Sequence, residues 1–342
     1  MIRAAVIGVG SIGQHHARIY NEMDDVELVA VADVDSARRQ RAARRFKVPT
    51  YPNHAALLEA ETLDVVSVTV PTAIHHAVTM CAIEHGVNVL VEKPIAHTLE
   101  QADEMIARAA ASGLTLTVGH IERFNPAVVE VKQRLRDNEL GRIFQIQSRR
   151  LSPFPRYIQD VGVVMDLATH ELDIMRYLLD SEVSRLYAEV GRNVHTVHED
   201  MLSAVLRFAN GCAGVLDINW LTPSKIRELR ITGERGMFLV DYVHQDLYYY
   251  QNVEAPGRWD SLALFRGVEE GDVLKVHVSK VEPLERELKA FVKAVAGHSP
   301  PVVSGDDGRR ALLLARALLD SAQKGQVLHV GPTGLFGGDA AA

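Results

Sequence analysis

The sequence predicts an α/β protein in two parts: a doubly wound parallel sheet at the N-terminus, then an α+β domain built on a mostly antiparallel sheet. Three observations carry this. Over the first 120 or so residues, short apolar runs alternate with longer segments of helical period. A glycine string follows the first apolar run directly, and after about Phe124 the pattern changes to short runs punctuated by turn residues.

Taken in order, the N-terminal strands are expected at 2–7, 27–33, 65–70, 87–91 and 114–119. Their Val, Leu and Ile show little polar alternation, as strands do when helices cover both faces of a sheet. Beyond Phe124 a helix is expected over 126–138, started by Pro126 and ended by Gly141, with a strand at 143–149. A second helix spans 166–179, and strands follow at 203–208, 213–219, 228–232 and 237–240, separated by Asn210-Gly211, Gly233 and Gly236. One face of this sheet would be covered by helices and the other left free to meet another subunit. Helices resume at 283–296 and 308–323, and residues 331–342, rich in glycine and alanine, read as a loose tail. The expected domains are therefore 1–121, 122–330 and the tail 331–342.

Composition excludes several classes. A chain of 342 residues that is 47% hydrophobic is long enough for two cores. Its net charge of −7 offers no basic stripe for a nucleic acid backbone. No apolar run approaches the roughly 18 residues that would span a bilayer, and the apolar start is too short for a signal peptide. Cys81 and Cys212 form neither a C-x-x-C pair nor a zinc-like cluster, so no disulfide and no metal is expected. The protein reads as cytoplasmic.

Gly8-Val9-Gly10-Ser11-Ile12-Gly13 completes G-x-G-x-x-G between the first strand and a helix. In that context the glycines allow a tight turn, let the backbone approach a pyrophosphate and pack helix on strand, and the helix N-terminus supplies N–H donors. The second strand ends at Asp33, about 20 residues beyond the glycines, where a carboxylate can accept the ribose hydroxyls of NAD and repel a 2′-phosphate. Arg38, Arg39, Arg41, Arg44 and Arg45 run against that inference as a possible phosphate clamp; the solvated face of a helix is the reading adopted.

Two further clusters stand out. Glu92-Lys93-Pro94 follows a strand, at the carboxyl end where open α/β sheets place ligands, although by position alone it is also an ordinary charged loop. On a helix Asp166 and His170 are i and i+4 neighbours, so the carboxylate can support an imidazole; a helix pairing its own polar groups would look the same.

Together these motifs resemble the Gfo/Idh/MocA family of sugar oxidoreductases, over nearly the whole chain. The likeness includes the glycine string, Asp33, Pro71-Thr72 with His75, Glu92-Lys93-Pro94 and the stretch from Asp166 to His170. It implies a Rossmann domain followed by a domain with a large open sheet through which the chain forms a homo-oligomer, a dimer or tetramer. It also implies that Pro71, Thr72, His75, Glu92 and Lys93 join Gly8, Gly10, Ser11, Ile12, Gly13 and Asp33 around NAD. Lys93 maps onto the family's lysine, His170 onto its catalytic histidine and Asp166 onto its supporting aspartate. Such a site would oxidise a secondary hydroxyl, with His170 as base and Lys93 hydrogen-bonded to the same oxygen.

His120-Ile121-Glu122 departs from the general pattern of the family and resembles the subgroup that oxidises the 3-hydroxyl of UDP-N-acetylglucosamine. Arg149, Arg150 and Arg156 before the catalytic helix would suit a diphosphate, though arginines near loops are also common on surfaces. Glu122, Arg123, Asn125 and Tyr157 are expected to line the substrate pocket, while Asn125-Pro126 also suits the start of a helix. His15, His16, His54, His195 and His198 share no ligand spacing and read as surface or packing residues. Tyr248 to Tyr250 with Trp259 read as a patch buried at a subunit contact. The alternatives are an inositol, polyol or simple-sugar dehydrogenase and, in another class, an NAD-binding sensor without catalysis; a sensor has no need of Lys93, Asp166 and His170 as a set. With Asp33 in place, kcat/KM is expected to be higher with NAD than with NADP, and the reverse order would overturn the argument from that carboxylate.

Overall fold

The structure, a computed structural model, describes residues 1–155, 161–194, 197–252, 271–331 and 334–336. Its contacts divide the chain into two compact units, Met1–Phe124 with Glu282–Leu313, and Asn125–Val281 with the residues from Leu314 onward. The expected division at 121 thus falls at Phe124, and the expected domain 122–330 is interrupted, because 282–313 pack with the first unit.

The first unit holds a parallel sheet of six strands: β1 (Ile2–Ile7), β2 (Val26–Ala32), β3 (Thr50–Tyr51), β4 (Val65–Val68), β5 (Asn88–Glu92) and β6 (Leu116–Gly119). Their order is β3-β2-β1-β4-β5-β6, so the winding reverses between β1 and β4, where a doubly wound fold opens its ligand crevice. Helices α1 (Gly13–Glu22), α2 (Ser36–Phe46), α3 (His54–Ala60), α4 (His75–Glu84) and α5 (Leu99–Ala111) connect the strands. Local caps account for several starts. Asp35 accepts from the N–H groups of Ala37 and Arg38 at α2, and Thr98 with Gln101 forms a reciprocal box at α5.

Two later helices follow, α8 (Pro283–Val295) and α9 (Gly305–Lys324), numbered after the two of the second unit given below. Pro283 starts α8, and its buried Leu284, Leu288, Phe291 and Val292 recur at i, i+4, i+7 and i+8, one face of a helix. That face completes a core with Ala4, Val6 and Val31 of the sheet and Ala17, Ile19 and Tyr20 of α1. Apolar spacing predicts such a face but not the sheet it will cover, which is why the sequence alone placed α8 with the wrong domain.

The second unit contains a sheet of ten strands in the order β14-β13-β12-β11-β7-β10-β9-β8-β15-β16. These are β7 (Ile143–Leu151), β8 (Val183–Gly191), β9 (Met201–Phe208), β10 (Ala213–Asn219), β11 (Ile226–Gly233), β12 (Gly236–Asp241), β13 (Asp246–Gln251), β14 (Val273–Val276), β15 (Leu328–Val330) and β16 (Leu335–Phe336). β7 and β10 pair parallel and the other pairs run antiparallel, as the turn-rich sequence predicts. Alternation sets the faces: Leu202, Ala204, Leu206 and Phe208 of β9 are buried while Ser203, Val205 and Arg207 are exposed. Helices α6 (Pro126–Arg136) and α7 (Thr169–Leu179) belong to this unit. Of the expected tail, the described part supplies β16, and the rest lies outside the described residues.

The aromatic run obeys the same alternation. Tyr249 turns inward against Phe238, with ring centroids 5.2 Å apart, so the expected patch of three tyrosines is split between faces; Trp259 lies outside the described residues. Because Leu288 is fully buried in the first unit's core, Leu288→Ala is expected to cost about 2 to 5 kcal/mol. Chemical denaturation followed by circular dichroism checks this; a loss below about 1 kcal/mol would show that α8 does not complete that core.

Candidate cofactor and catalytic site

The glycine loop sits at the reversal of winding. Gly8 has φ of +92°, and a Cβ there would stand 2.8 Å from the carbonyl oxygen of Thr69 after β4. A Cβ on Gly13 would lie 1.8 Å from the oxygen of Gly8, so both positions require glycine. Gly10 is different: its Cβ direction is open, with the guanidinium of Arg38 the nearest group at 3.7 Å. That open backbone is the cradle a pyrophosphate needs. Ser11 and Ile12 are exposed on the same loop, and α1 starts with no side-chain cap and no acidic residue in its first turn. Its N-terminal dipole is therefore not offset by the chain itself, which suits an anion.

Asp33, just past β2, is buried, with one carboxylate oxygen 2.9 Å from the Val9 N–H and the other 2.8 Å from that of Asp35. Two main-chain donors fix its direction beside the glycine loop and leave further lone pairs for ribose hydroxyls. These residues fit a dinucleotide.

At the far end of β5, Glu92 organises a buried polar cluster. His16 Nε2 lies 3.2 Å from Glu92, His16 Nδ1 lies 3.1 Å from Ser67 Oγ, and that hydroxyl is 2.9 Å from Tyr20 OH. Gly119 makes room, since a Cβ there would come within 3.0 Å of the Glu92 carboxylate. Burial disfavours the Glu92 anion, but the hydrogen bond and charge of His16, with the charges of Lys93 and His75, outweigh it and hold its pKa below the ordinary value. Glu287 of α8 is the counterpart: burial, then the charges of Glu92 and Glu122, push its pKa well above the ordinary value. Among the described residues neither of its carboxyl oxygens has a hydrogen-bond partner. Burial, and then like charge, thus push the Glu287 pKa up while His16 and the nearby cations draw that of Glu92 down.

His16 read as a surface or packing histidine from sequence, and it is in fact the fully buried partner of Glu92. The signal was present in its helical position: Gly13, His16, Ala17 and Tyr20 share the buried face of α1. His75, expected at the cofactor, has both ring nitrogens 2.9 Å from main-chain carbonyls, those of Pro94 and Val70. It braces the turn behind Lys93, and burial depresses its pKa despite those two bonds. Pro71 is exposed and Thr72 begins a short 3-10 turn after β4.

Arg123 and Asn125, expected to line the substrate pocket, also have partners inside the protein. Arg123 is buried, ion-paired with Asp307 at 2.9 Å and bonded to the oxygen of Val302. Asn125 caps α6 through its oxygen and donates its amide to the carbonyl of Tyr242 at 3.1 Å. Both hold the chain where the units divide along the sequence. Glu122 is buried in the first unit and faces Glu287 through charge.

In the second unit Asp166 lies in a π-helical turn, Val164–Ala168, that runs into α7, and His170 is buried in the first turn of α7. The expected regular helix over 166–179 is thus replaced in its first turn by π geometry, a feature concentrated at functional sites. The main chain there is pinned by Glu199, whose carboxylate accepts from the Val164 N–H at 3.1 Å. The next residue, Glu171, is fully buried and receives Ser148 Oγ, Arg150 Nε and, at 3.4 Å, Tyr242 OH. Arg150, expected at a diphosphate, thus ties α7 to β7. Arg149 points to the opposite face of the sheet, toward Asp217 at 3.4 Å and Glu228 at 3.6 Å, its cross-strand neighbours. That placement corrects the expectation that Arg149 flanks the catalytic helix. Strand alternation from Ser148 to Arg150 predicts the split, a signal the sequence reading overlooked. Arg156 and Tyr157 lie outside the described residues.

Among the described residues no group of three or more His, Cys, Asp or Glu side chains could hold a metal ion, and no helix is long and apolar enough to cross a membrane.

Residues 2–120 match the oxidoreductase family with an NAD-binding Rossmann fold, and residues 128–239 match the Gfo/Idh/MocA C-terminal domain. The chain belongs to the Gfo/Idh/MocA family. It is accordingly an NAD-dependent oxidoreductase acting on hydroxyl carbons. The UDP-N-acetylglucosamine 3-dehydrogenase of Acidithiobacillus ferrooxidans is 33% identical to this family member, over 92% of this chain and 95% of its own. A solved structure of that enzyme superposes with a TM-score of 0.84 at 30% identity, covering 94% of this chain and 98% of the other. The myo-inositol 2-dehydrogenase of Thermotoga maritima is 28% identical over 94% of this chain and 97% of its own.

The Glu287 environment sets a pH dependence of stability. Unfolding frees Glu287 to ionise near its ordinary value of 4.5, whereas the folded acid keeps its proton to higher pH. Its contribution to stability is therefore complete below that value and is lost as pH rises toward the folded pKa. Glu287→Gln, which copies the protonated form, is expected to raise Tm relative to the native chain at pH 8 and to leave it unchanged near pH 4, as read by scanning calorimetry. A variant less stable than the native chain at pH 8 would show Glu287 to be ionised in the fold.

Proposed function

We propose that this oxidoreductase oxidises the 3-hydroxyl of UDP-N-acetylglucosamine or a closely related nucleotide sugar. The observation that carries the reading is the similarity to the UDP-N-acetylglucosamine 3-dehydrogenase of A. ferrooxidans across both halves, at 33% identity over 92% of the chain. The segment His120-Ile121-Glu122 supports it as well. A second reading, an inositol or polyol as substrate, is favoured by Arg149 and Arg150, which pair with Asp217 and Glu171, so that of the three arginines expected at a diphosphate only Arg156 has no ion pair described here. We include in the proposal a cytoplasmic homo-oligomer, dimer or tetramer, assembled through the ten-stranded sheet, on whose outer face Val205 is 56% exposed.

In the proposed mechanism Lys93, His170 and Asp166 act on one substrate hydroxyl. The glycine loop and Asp33 would hold NAD, which would supply the hydride acceptor for the carbinol carbon. His170 takes the hydroxyl proton onto its imidazole, and the Lys93 ammonium donates a hydrogen bond to the same oxygen as negative charge develops there. Asp166 supports the imidazolium by its charge, and the adjacent Glu171 anchor fixes the first turn of α7 from which His170 projects. The Glu92 carboxylate accepts the main-chain N–H of Lys93 at 3.2 Å and so fixes the backbone from which the lysine projects.

Incubation with NAD and a panel of UDP-sugars and free polyols, read by mass spectrometry, is expected to give loss of two hydrogens with UDP-N-acetylglucosamine and none with free inositols. The opposite pattern overturns the nucleotide-sugar reading. His170→Ala and Lys93→Ala are each expected to lower kcat by about 10² to 10⁴. NADH binding, followed by fluorescence, should survive both; near-normal turnover in either variant removes that residue from the chemistry.

A further inference from the structure

The helix that carries His170 is entered through the π-helical turn Val164–Ala168, and Asp166 lies within it. Each residue of a regular α-helix turns the chain by about 100°, and a π turn closes its hydrogen-bonded ring with one residue more. Its presence or loss therefore rotates Asp166 about the helix axis, relative to His170, by up to about 100°. What holds this turn is a residue from another part of the chain. The N-cap, Val163, makes no side-chain bond to the helix. Glu199 supplies two acceptors instead: its main-chain oxygen takes the Val163 N–H at 3.0 Å, and its carboxylate takes the Val164 N–H at 3.1 Å. A carboxylate in this place also meets the positive end of the helix dipole. Glu199 is itself fixed, being buried and followed by Asp200, whose N–H donates to Gly191 of β8 and whose carbonyl accepts from Trp220 after β10. Gly162 makes room, since a Cβ there would overlap the Glu199 carboxylate, and its own carbonyl accepts the Asp166 N–H at 3.0 Å. At the other end of the turn, Thr169 Oγ1 donates to the carbonyl of Met165 at 3.1 Å, a local bond that bends helices.

We propose that Glu199 is a positioning residue for the oxidation: by bonding Val163 and Val164 it maintains the π turn and so sets the angle between Asp166 and His170. The inference rests on the reading of His170 as base and Asp166 as its support. Two glutamates then bracket the histidine. Glu171 ties the residue after it to β7 through Arg150 and Ser148, and Glu199 ties the turn before it to the start of β9. A buried N–H deprived of its acceptor is costly, so without the Glu199 carboxylate the turn shifts until the Val164 N–H regains one, and Asp166 rotates with it. A displacement of about 1 Å at a reacting group costs on the order of 100-fold in rate. Glu199 acts through the main chain alone and takes no part in the proton transfer.

The test is steady-state oxidation by the full chain with NAD, of UDP-N-acetylglucosamine or, if that is the compound turned over, of myo-inositol. Glu199→Ala is expected to lower kcat about 100-fold with KM for the sugar and NADH affinity unchanged, so that kcat and kcat/KM fall together. Glu199→Gln, whose amide oxygen still accepts from the Val164 N–H, should recover about tenfold or more of that loss, because the residue supplies geometry rather than charge. Gly162→Ala keeps Glu199 but displaces its carboxylate and should lose kcat to the same degree as Glu199→Ala. In Glu199→Ala/Gly162→Ala the two losses should not multiply. Circular dichroism melting checks the folding of each variant, and Gly162→Ala carries the comparison if Glu199→Ala unfolds the chain. Near-native kcat in folded Glu199→Ala or Gly162→Ala, an equal loss in Glu199→Gln and Glu199→Ala, or a loss confined to KM overturns the proposal. Failure of the native chain to oxidise either compound would instead overturn the assignment of His170 beneath it, and the proposal with it.

Discussion

The close approach of the β1 turn to the end of β4 is the constraint on which the first unit depends. Because the main chain of Gly8 passes against Thr69 and Gly13 passes against Gly8, no side chain fits at either glycine. This contact lets α1 begin at the reversal of winding, with its N-terminus uncapped and directed into the crevice. It also brings the Val9 N–H onto Asp33, so the carboxylate that ends β2 is oriented by the glycine loop.

Burial of charge shapes the other end of the sheet. Glu92 remains ionised inside the protein because His16, itself held by Ser67, compensates the lost hydration. Glu287 has no such partner among the described residues and resolves the same conflict by keeping its proton. The two carboxyls are tuned apart by their surroundings, and α8 is the element that brings the second of them into the unit. In the second unit the analogous centre is Glu171, where Arg150 and Ser148 fasten α7 to the sheet immediately after His170.

Reading the site from sequence succeeded where spacing alone imposes the geometry. Gly8, Gly10, Gly13 and Asp33 could be placed because a strand, a tight turn and a helix allow them few alternatives. Where a side chain has two partners to choose from, spacing does not decide between them. Arg123, Asn125, Arg149 and Arg150 are polar residues near a catalytic motif, and only packing shows that each is engaged inside the protein. His75 and His16 exchanged expected roles for the same reason, one bracing main-chain carbonyls and the other supporting a buried carboxylate.

The sequence by itself determined the two-part α/β architecture, most element positions and the dinucleotide motif, because apolar period and glycine chemistry act over a few residues. Tertiary structure alone decided that α8 returns to the first unit, that the first turn of the His170 segment is π-helical, and which arginines brace the fold. Those outcomes depend on neighbours far apart along the chain, and burial and charge compensation can be resolved only once those neighbours meet.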